Sequence, residues 1–429
     1  MIFALGVLAF AVGIVLSIAL HEVGHMVPAK LFKVKVTQFF VGFGNTLWSF
    51  RRGETEYGIK AIPLGGYVRL VGMLPPAKDA DPHEVRPSNT GLFTQLAEEA
   101  RVAEYEHVSD EDLPRMFYRL PTWKKIVVMV GGPFMNVVIA TVLFAIVIMG
   151  FGVNQATTTV ASVSDCAISD AEVGRTCTDD DPVAPARLAG LEPGDTITSI
   201  DGEAITSWEQ MTRLIRANGD EPIRLGYERA GVAHTVTVTP SVVTRADLDD
   251  PQTAVNVGFL GVGPTEELQA GGVGDVVDTL GFYVEATAEA IVHLPVRMID
   301  VAKAAFGGER DVDSPIGVVG ASRLSGELVT YDDPSFAEGT ARVLTLLAGL
   351  NMFLALFNLI PLLPFDGGHI AGALWEAIRR GWSRLRSRPD PGFVDVAKAL
   401  PVSYAVGGVL VVMSVILLYV DIVNPVRIS

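Results

Sequence analysis

The sequence is short of cysteine, histidine and charge. Only two of its 429 residues are cysteines, seven are histidines and 19% are charged. Cys166 and Cys177 have no histidine or further cysteine near them in the sequence, which disfavours a metal site at this pair and favours a local disulfide. Positive charge is also in deficit, because the formal net charge is −16. A chain this acidic is not expected to bind nucleic acid.

Charge is missing altogether from four long runs, each of which meets the requirement of about 20 apolar residues for a membrane-spanning helix. The uncharged runs are Met1–Leu20, Ile126–Val153, Val343–Phe365 and Ala399–Val420. With 49% hydrophobic residues, the chain is too apolar for a typical soluble protein, and its remaining charge is too high for a pure membrane bundle. We predict four transmembrane helices, within residues 1–30, 126–153, 341–365 and 401–423, and at least one soluble domain.

Two further features of these runs bear on topology. The first run lacks the basic start and the Ala-x-Ala-like end of a cleaved signal peptide, the alternative interpretation of this segment.

Lysine and arginine follow the first and third runs and precede the second. Because cytoplasmic loops are enriched in these residues, residues 31–125 are expected inside, and residues 366–400 are expected to form a basic loop on the same side. Residues 154–340 and both termini are then expected outside.

The first run ends in the sequence His21-Glu22-Val23-Gly24-His25. On a helix, His21 and His25 leave the same face about 6 Å apart along the axis, which is close enough to share one zinc ion. Glu22 then lies beside the metal as a candidate general base. Ionisable groups at membrane depth are costly and usually functional. The alternative is an ordinary anchor helix with a polar end.

Two histidines leave a catalytic zinc site incomplete, because such sites usually have three protein ligands. Candidates for the third ligand are Asp366 and His369, which follow two prolines near the end of the third apolar run. The prolines are expected to break the helix, and the glycines after Asp366 allow close backbone approach. The remaining histidines are interpreted as ordinary polar residues outside the membrane; they are His83, His107, His234 and His293.

Two cytoplasmic stretches, Val34–Phe50 and Tyr57–Val71, have the alternation of short β-hairpins. The second contains Gly65-Gly66-Tyr67-Val68. These apolar hairpins either enter the membrane near the metal, where protein or water must cover their backbone, or remain ordinary cytoplasmic hairpins. Residues 75–120 are interpreted as a surface insertion with a weak helix near Gly91–Glu106.

The outside segment divides into two parts. Within residues 154–265, a run of Gly-Leu-x-x-Gly-Asp-x-Ile-x-x-Ile-x-Gly (190–202) precedes a helix-like stretch, Ser207–Ala217, and two strands, which resembles a PDZ domain. Such a module either receives a peptide by strand addition or acts as a steric cap. Residues 266–340 are interpreted as an amphipathic region at the membrane surface, with a helix from Phe282 to Phe306 that is interrupted at Pro295.

Three asparagines lie within the apolar runs. Asn351 and Asn358 share a face of the third run, and Asn136 lies early in the second. Amides at this depth need partners. They either form hydrogen bonds between helices or hold an extended substrate backbone.

The order of these motifs resembles the bacterial site-2 proteases, a family of intramembrane zinc metalloproteases that includes the regulator-of-sigma-E protease. The motifs are HEVGH at 21–25, GGYV at 65–68, GGPxxN at 131–136, the PDZ unit, and the third-run Asn358 followed by PFDGG at 364–368. The resemblance implies zinc as the cofactor, His21, His25 and Asp366 as its ligands, and Glu22 as the catalytic acid/base. It also implies that Gly65, Gly66, Tyr67 and Val68 steer substrate and that Asn358, with Asn136, handles it.

The sequence departs from the family at two positions. Asn45 stands where relatives commonly have proline, and Pro364, the second proline of the third-run motif, stands one residue later than in the regulator-of-sigma-E protease. The implied fold is a membrane protein with a core of four transmembrane helices, membrane-associated β-hairpins and an inserted extracytoplasmic PDZ domain of the α+β class. The implied location is the bacterial inner membrane, with the active site near the cytoplasmic face.

The implied partners are the lipid bilayer, single-pass membrane substrates such as anti-sigma factors or remnant signal peptides, and peptides at the PDZ domain. Two rival functions remain. One is a non-catalytic membrane receptor with a vestigial metal site, which an intact His21, Glu22, His25 and Asp366 set disfavours. The other is a zinc transporter, which the single narrow ligand set disfavours.

Overall fold

The protein divides into two compact units. A computed structural model describes residues 2–75, 109–169, 176–178, 180–248, 253–308, 310, 314–331 and 335–426. The first unit comprises Met1–Phe151 and Gly272–Ser429, and the second comprises Gly152–Gly271. The helix predicted near Gly91–Glu106 lies outside the described residues.

The helices and strands are named here in chain order. The helices are α1 (Ile2–Leu31), α2 (Thr122–Ala145), α3 (Pro185–Leu188), α4 (Trp208–Ala217), α5 (Val273–Ala305), α6 (Val318–Leu328), α7 (Phe336–Asn358), α8 (Asp366–Leu385) and α9 (Leu400–Val423). The strands are β1 (Val36–Arg52), β2 (Thr55–Leu70), β3 (Val153–Val163), β4 (Thr196–Ile200), β5 (Glu203–Ala204), β6 (Ile223–Arg229), β7 (Val232–Val238), β8 (Ser241–Ala246), β9 (Ala254–Phe259) and β10 (Val262–Gln269).

Four helices in the described part of the chain are long and apolar enough to cross a membrane, as predicted. They are α1, α2 with the π-helical turn Ile146–Phe151, α7, and α9 with the short 3-10 turn before it. Apolar side chains of α1 such as Leu8 and Leu16 point outward, which is the pattern of a helix that is surrounded by lipid. Between helices, the Asn351 amide of α7 donates a hydrogen bond to Ser17 Oγ of α1 at 3.0 Å.

β1 and β2 pair antiparallel, and both strands bend so that the first part of β1 pairs with two separate parts of β2. Phe39 consequently lies opposite both Val68 and Tyr57. Gly42 and Gly44 allow the bend in β1, because their φ angles of +93° and +83° are in the left-handed region that favours glycine. The two separate hairpins expected from the alternation are therefore one strongly bent sheet.

The second unit is a β-sheet with the order β10-β3-β4-β6-β7, in which β5 pairs with β4, and a separate β8–β9 hairpin. Helix α4 begins after Ser207, whose Oγ accepts a hydrogen bond from Gln210 N at 3.1 Å, a typical N-cap. Its Met211 and Ile215 pack with Ile197 and Leu225 in the core. The helix and strands predicted after residue 207 are thus confirmed.

Three predicted boundaries differ from the structure. The third spanning helix ends at Asn358 rather than near residue 365, because Pro361 and Pro364 cannot donate helical hydrogen bonds. Helix α5 begins at Val273 and continues through Pro295. Residues 366–400, expected to form a basic loop, contain the 20-residue helix α8.

The two cysteines form a disulfide, as the sequence suggested. Cys166 and Cys177 are bonded, with their Cα atoms 6.0 Å apart. The bond closes a local loop within the second unit.

Candidate metal centre

Helix α1 brings the two motif histidines together. Their Nε2 atoms are 3.2 Å apart. His25 Nδ1 lies 2.8 Å from the carbonyl oxygen of Val128 in α2. A carbonyl can only accept, so Nδ1 carries the proton and Nε2 of His25 is left with a lone pair for a metal. The Val128 carbonyl therefore orients this histidine.

Asp366, the first residue of α8, completes the cluster. Its Oδ2 lies 3.5 Å from His21 Nε2 and 3.3 Å from His25 Nε2. These separations match the roughly 3.3 Å between ligand atoms placed tetrahedrally at about 2.0–2.1 Å from zinc. The same Oδ2 atom is buried and has no hydrogen-bond partner among the described residues. The donor set and the unpartnered oxygen fit a zinc ion.

His369, the competing third ligand, does not belong to this cluster. It lines a small cavity together with Lys125 and Glu376. The potential metal-binding group of the described residues is His21, His25 and Asp366, without His369. The structure therefore brings the carboxylate to the two histidines.

Glycines provide the space for this arrangement. A Cβ atom on Gly132 of α2 would lie 2.2 Å from His25 Nε2 and 2.7 Å from His21 Nε2. A Cβ atom on Gly24 would lie 2.2 Å from the Gly131 carbonyl oxygen, and one on Gly131 would lie 2.1 Å from the Gly24 carbonyl oxygen. Side chains at these positions would separate α1 from α2 or enter the space around the histidine nitrogens.

Two further glycines let the broken segment after α7 fold onto the start of α8. A Cβ atom on Gly367 would lie 2.3 Å from the carbonyl oxygens of Leu359 and Ile360, and one on Gly368 would lie 2.6 Å from Leu363 N. The end of α7 and the first turn of α8 therefore meet backbone to backbone. This contact fixes the position of Asp366.

The bent sheet reaches the catalytic motif through β2. A Cβ atom on Gly66 would lie 3.1 Å from Glu22 Cγ, and the backbone of Val68 lies close to the Glu22 carboxylate. Gly65 has a φ of +119°. The Tyr67 ring stacks on Phe40, with centroids 5.7 Å apart. The structure thus places residues 65–68 beside Glu22.

The asparagines differ in environment. Asn136 is buried in α2, and its Oδ1 has no hydrogen-bond partner among the described residues. Asn358 is half-buried at the last residue of α7. Asn351 bonds to α1, which fits the helix-to-helix interpretation. The other histidines that the structure describes belong to no potential metal-binding group: His234 stacks on Tyr227, and His293 bonds to the Glu289 carbonyl.

Two contributors to the site were not among the residues predicted from the sequence. The first is Gly132, which leaves room beside the histidines, and the second is the Val128 carbonyl, which orients His25. The adjacent glycines 131 and 132 within an apolar run were a usable signal, because such small residues allow helices in membranes to approach closely. No signal in the sequence marks the carbonyl.

One of the solved structures to which the chain is similar is a PDZ domain. This domain, from an SdrC-like protein of Listeria monocytogenes, matches 26% of this chain and 92% of its own chain, with 19% identity and a TM-score of 0.17. A score this low does not establish a shared fold. The PDZ assignment of residues 154–265 remains a prediction from the sequence pattern.

The whole-chain comparisons are more informative. The family described as Peptidase family M50 matches residues 9–388. Zinc metalloprotease Rip1 of Mycolicibacterium smegmatis is 35% identical over 444 aligned positions, covering 100% of each chain. Rip1 of Mycobacterium tuberculosis H37Rv is 33% identical over 449 positions, covering 100% of this chain and 99% of its own. Metalloprotease MmpA of Caulobacter vibrioides is 27% identical and covers 87% of this chain and 86% of its own. The chain therefore belongs to peptidase family M50 and is a zinc metalloprotease.

Proposed function

We propose that this protease is an intramembrane endopeptidase that hydrolyses peptide bonds within or next to the transmembrane segments of single-pass proteins. The observation that carries the proposal is the position of the cluster. His21 and His25 lie on a helix that is long and apolar enough to span a membrane, and Asp366 lies 3.3–3.5 Å from their Nε2 atoms. Ionisable groups at such depth are expected to be functional.

In this proposal His21, His25 and Asp366 hold the zinc, which when bound supplies Lewis-acid chemistry. Glu22 accepts a proton from the attacking water and returns it to the leaving amine. Val128 keeps His25 in the tautomer that leaves Nε2 free of its proton. Gly132 keeps side-chain atoms out of the space beside both histidines.

Residues 65–68 and the asparagines are proposed to handle substrate. A membrane helix bonds its carbonyls internally, so its backbone must unwind before hydrolysis. The backbone of Gly65, Gly66, Tyr67 and Val68 lies beside Glu22 and can pair with an unwound segment. Asn136 and Asn358 offer amide groups for the same backbone.

The topology follows the charge distribution. We infer that the metal centre lies near the cytoplasmic face of a bacterial inner membrane and that the second unit is extracytoplasmic. The reason is that lysine and arginine are concentrated in residues 31–125 and 366–400, which lie on the other side of the predicted spans from the second unit. In the second unit, a groove of about 210 Å³ lies between α4 and residues 257–262, where β9 leads into the edge strand β10; its lining is mainly apolar and includes Met211, Ile215 and Val262. Such a groove beside an edge strand favours capture of a peptide; exclusion of bulky substrates is the alternative role.

The proposed substrates, which the resemblance to site-2 proteases implies, are anti-sigma factors and remnant signal peptides. The test compares cleavage of a single-pass substrate with a helix-destabilised segment in liposomes by the native protein, by Glu22→Gln and by native protein with a chelator. Glu22→Gln should retain zinc and lose at least about 100-fold in cleavage rate.

Cleavage that persists in Glu22→Gln would contradict the assigned role of Glu22. Bound zinc without cleavage of several helix-destabilised substrates by the native protein would contradict the proposed substrate class and favour the receptor interpretation.

A further inference from the structure

Helix α8 carries the candidate ligand Asp366 at its first residue, and its remaining turns have two unlike faces. One face holds Glu376, which is 3% exposed and forms a buried ion pair with Lys125 of α2 at 3.0 Å. Arg380 on the same face also bonds to Glu376 at 3.0 Å. This face attaches α8 to the start of α2.

The opposite face is apolar and points away from the protein. Its side chains are between 47% and 84% exposed; they are Leu374, Trp375, Ile378, Trp382 and Leu385. Because each helical residue turns by about 100°, these five positions fall within an arc of about 100°, roughly opposite Glu376. A helix in water presents polar groups on its outward face, so this apolar stripe is not typical of a surface that contacts water.

The stripe is also not a membrane span. α8 is absent from the candidate spanning helices of the described residues. An amphipathic helix with tryptophan and leucine on one face and arginine beside it typically lies in the plane of the membrane interface. The composition of α8 therefore points to the interface rather than to the lipid core.

The contacts of α8 place it at the right depth. Lys125 lies in the first turn of α2, directly after Trp123 and Lys124, and the Trp123 ring is 57% exposed. Tryptophan and lysine at the end of a spanning helix mark the boundary between lipid and water. Since Glu376 bonds to Lys125, the middle of α8 lies at this boundary.

The charge of α8 selects the kind of lipid. Five arginines occur between residues 379 and 388, with no acidic residue among them. Arg379 donates to the Pro391 carbonyl and Arg380 to Glu376, whereas the other three are exposed: Arg384, Arg386 and Arg388. The Arg386 guanidinium lies 4.3 Å from the Trp382 ring centroid, at the edge of the stripe. Such arginines attract anionic headgroups.

We propose that α8 is an interfacial helix that binds an anionic lipid surface, with its apolar stripe inserted among the acyl chains and Arg384, Arg386 and Arg388 at the headgroups. Because α8 begins at Asp366, this anchor fixes the orientation of the helix that presents the carboxylate to the two histidines. The membrane is thereby a part of the scaffold of the metal centre.

The test measures depth in the intact protein reconstituted in vesicles. Both native cysteines are in a disulfide, so a nitroxide label attaches only to a newly introduced cysteine. Ile378→Cys places the label on the stripe, and Ser383→Cys is the matched control on the other side of the same helix. The label at 378 should collide mainly with oxygen, which partitions into lipid, and the label at 383 mainly with a water-soluble nickel complex.

A second arm tests the headgroup. In the Ile378→Cys protein, phosphatidylglycerol added to phosphatidylcholine vesicles should move the label deeper, and Arg384→Gln, Arg386→Gln and Arg388→Gln together should abolish the response. Exposure of the label at 378 to the nickel complex would overturn the proposal, as would dipolar broadening from a second copy of the chain. Indifference to phosphatidylglycerol would overturn the anionic-lipid part. These readouts need no catalysis, so they are independent of the proposed protease substrate.

Discussion

The two units have reversed surfaces. In the first unit, apolar side chains such as Leu16 are exposed along the spanning helices, whereas the charged groups of Lys125, Glu376 and Asp421 are buried. In the second unit, Ile197 and Leu225 are buried, and ion pairs such as Arg213–Glu209 lie on the surface. The first unit thus buries the charged groups that lipid does not stabilise, and the second unit buries the apolar side chains that water does not stabilise.

This difference explains where the chemistry lies. Removing polar groups from water is costly unless they are paired, so the first unit buries few charged groups. At the cluster of His21, His25 and Asp366, a buried carboxylate oxygen lies within 3.3–3.5 Å of two imidazole nitrogens and has no hydrogen-bond partner among the described residues. In a surrounding of apolar helices, such an oxygen marks the place of a metal more clearly than it would in the second unit.

The comparison predicts the largest loss of stability for a broken ion pair in the first unit. Lys125→Met should lower the free energy of unfolding by about 3 kcal/mol, because the buried Glu376 carboxylate loses one of its two cationic partners and keeps only Arg380. Unfolding by a denaturing detergent measures this. The double variant Lys125→Met with Glu376→Leu should recover part of the loss; a double variant less stable than the single one would contradict the prediction.

A matched pair of surface substitutions tests the reversal directly. Leu16→Asp on the outward face of α1 should raise the free energy of membrane insertion by about 2.5–3.5 kcal/mol. Leu188→Asp, at an exposed leucine of the second unit, should change stability by less than about 0.5 kcal/mol. Insertion efficiency and thermal unfolding provide the two readouts. Equal effects would mean that α1 is not surrounded by lipid.

Gly132→Ala sharpens the comparison at the metal centre. The new Cβ atom would overlap His25 Nε2, so zinc affinity should fall by about 10–100-fold, the range typical of a disturbed ligand environment. Competition with a fluorescent chelator measures this affinity. The control Gly407→Ala has no heavy atom within 4 Å of the new Cβ and should bind zinc as the native protein does.

A smaller effect than that at Lys125 is expected in the second unit, at Asp195. Arg229 holds this carboxylate through two contacts of 2.7 Å and, with Glu192 N, lowers the pKa of Asp195 below its ordinary value, against the opposing effect of burial. The stabilisation is therefore complete above the unfolded value of about 3.9 and is lost as the pH falls through the lower folded value.

Asp195→Asn should accordingly cost about 1–2 kcal/mol at neutral pH and reduce the loss of stability in acid, as measured by thermal unfolding across pH. Glu209→Gln, at the exposed pair with Arg213, is the control and should cost less than about 0.5 kcal/mol. A larger effect at Glu209 than at Asp195 would contradict the assignment.

Much of this organisation could be predicted from the sequence, because local pattern encodes it. Uninterrupted apolar runs predicted the number of candidate spans, and the four-residue spacing of His21 and His25 predicted a shared helix face. The glycine-rich pattern of residues 190–202 and the stretches that follow it predicted α4 and the strands β6 and β7 of the second unit.

Other features depend on contacts between distant residues, and no local pattern encodes them. The α8 segment carries many arginines and was expected to be part of a basic cytoplasmic loop; its buried contact with Lys125 and its exposed apolar face are tertiary properties. The double pairing of β1 and β2 requires the bend at Gly42 and Gly44. The choice between Asp366 and His369 required the fold of residues 359–368 onto α8.

The most direct test of the central claim is the zinc content of purified Asp366→Ala and His369→Ala, compared with that of the native protein. Asp366 contacts the histidine cluster and His369 lines a separate cavity. We predict about one zinc per chain in the native protein and in His369→Ala, and loss of zinc in Asp366→Ala. Zinc retained in Asp366→Ala but lost in His369→Ala would contradict the proposed metal centre.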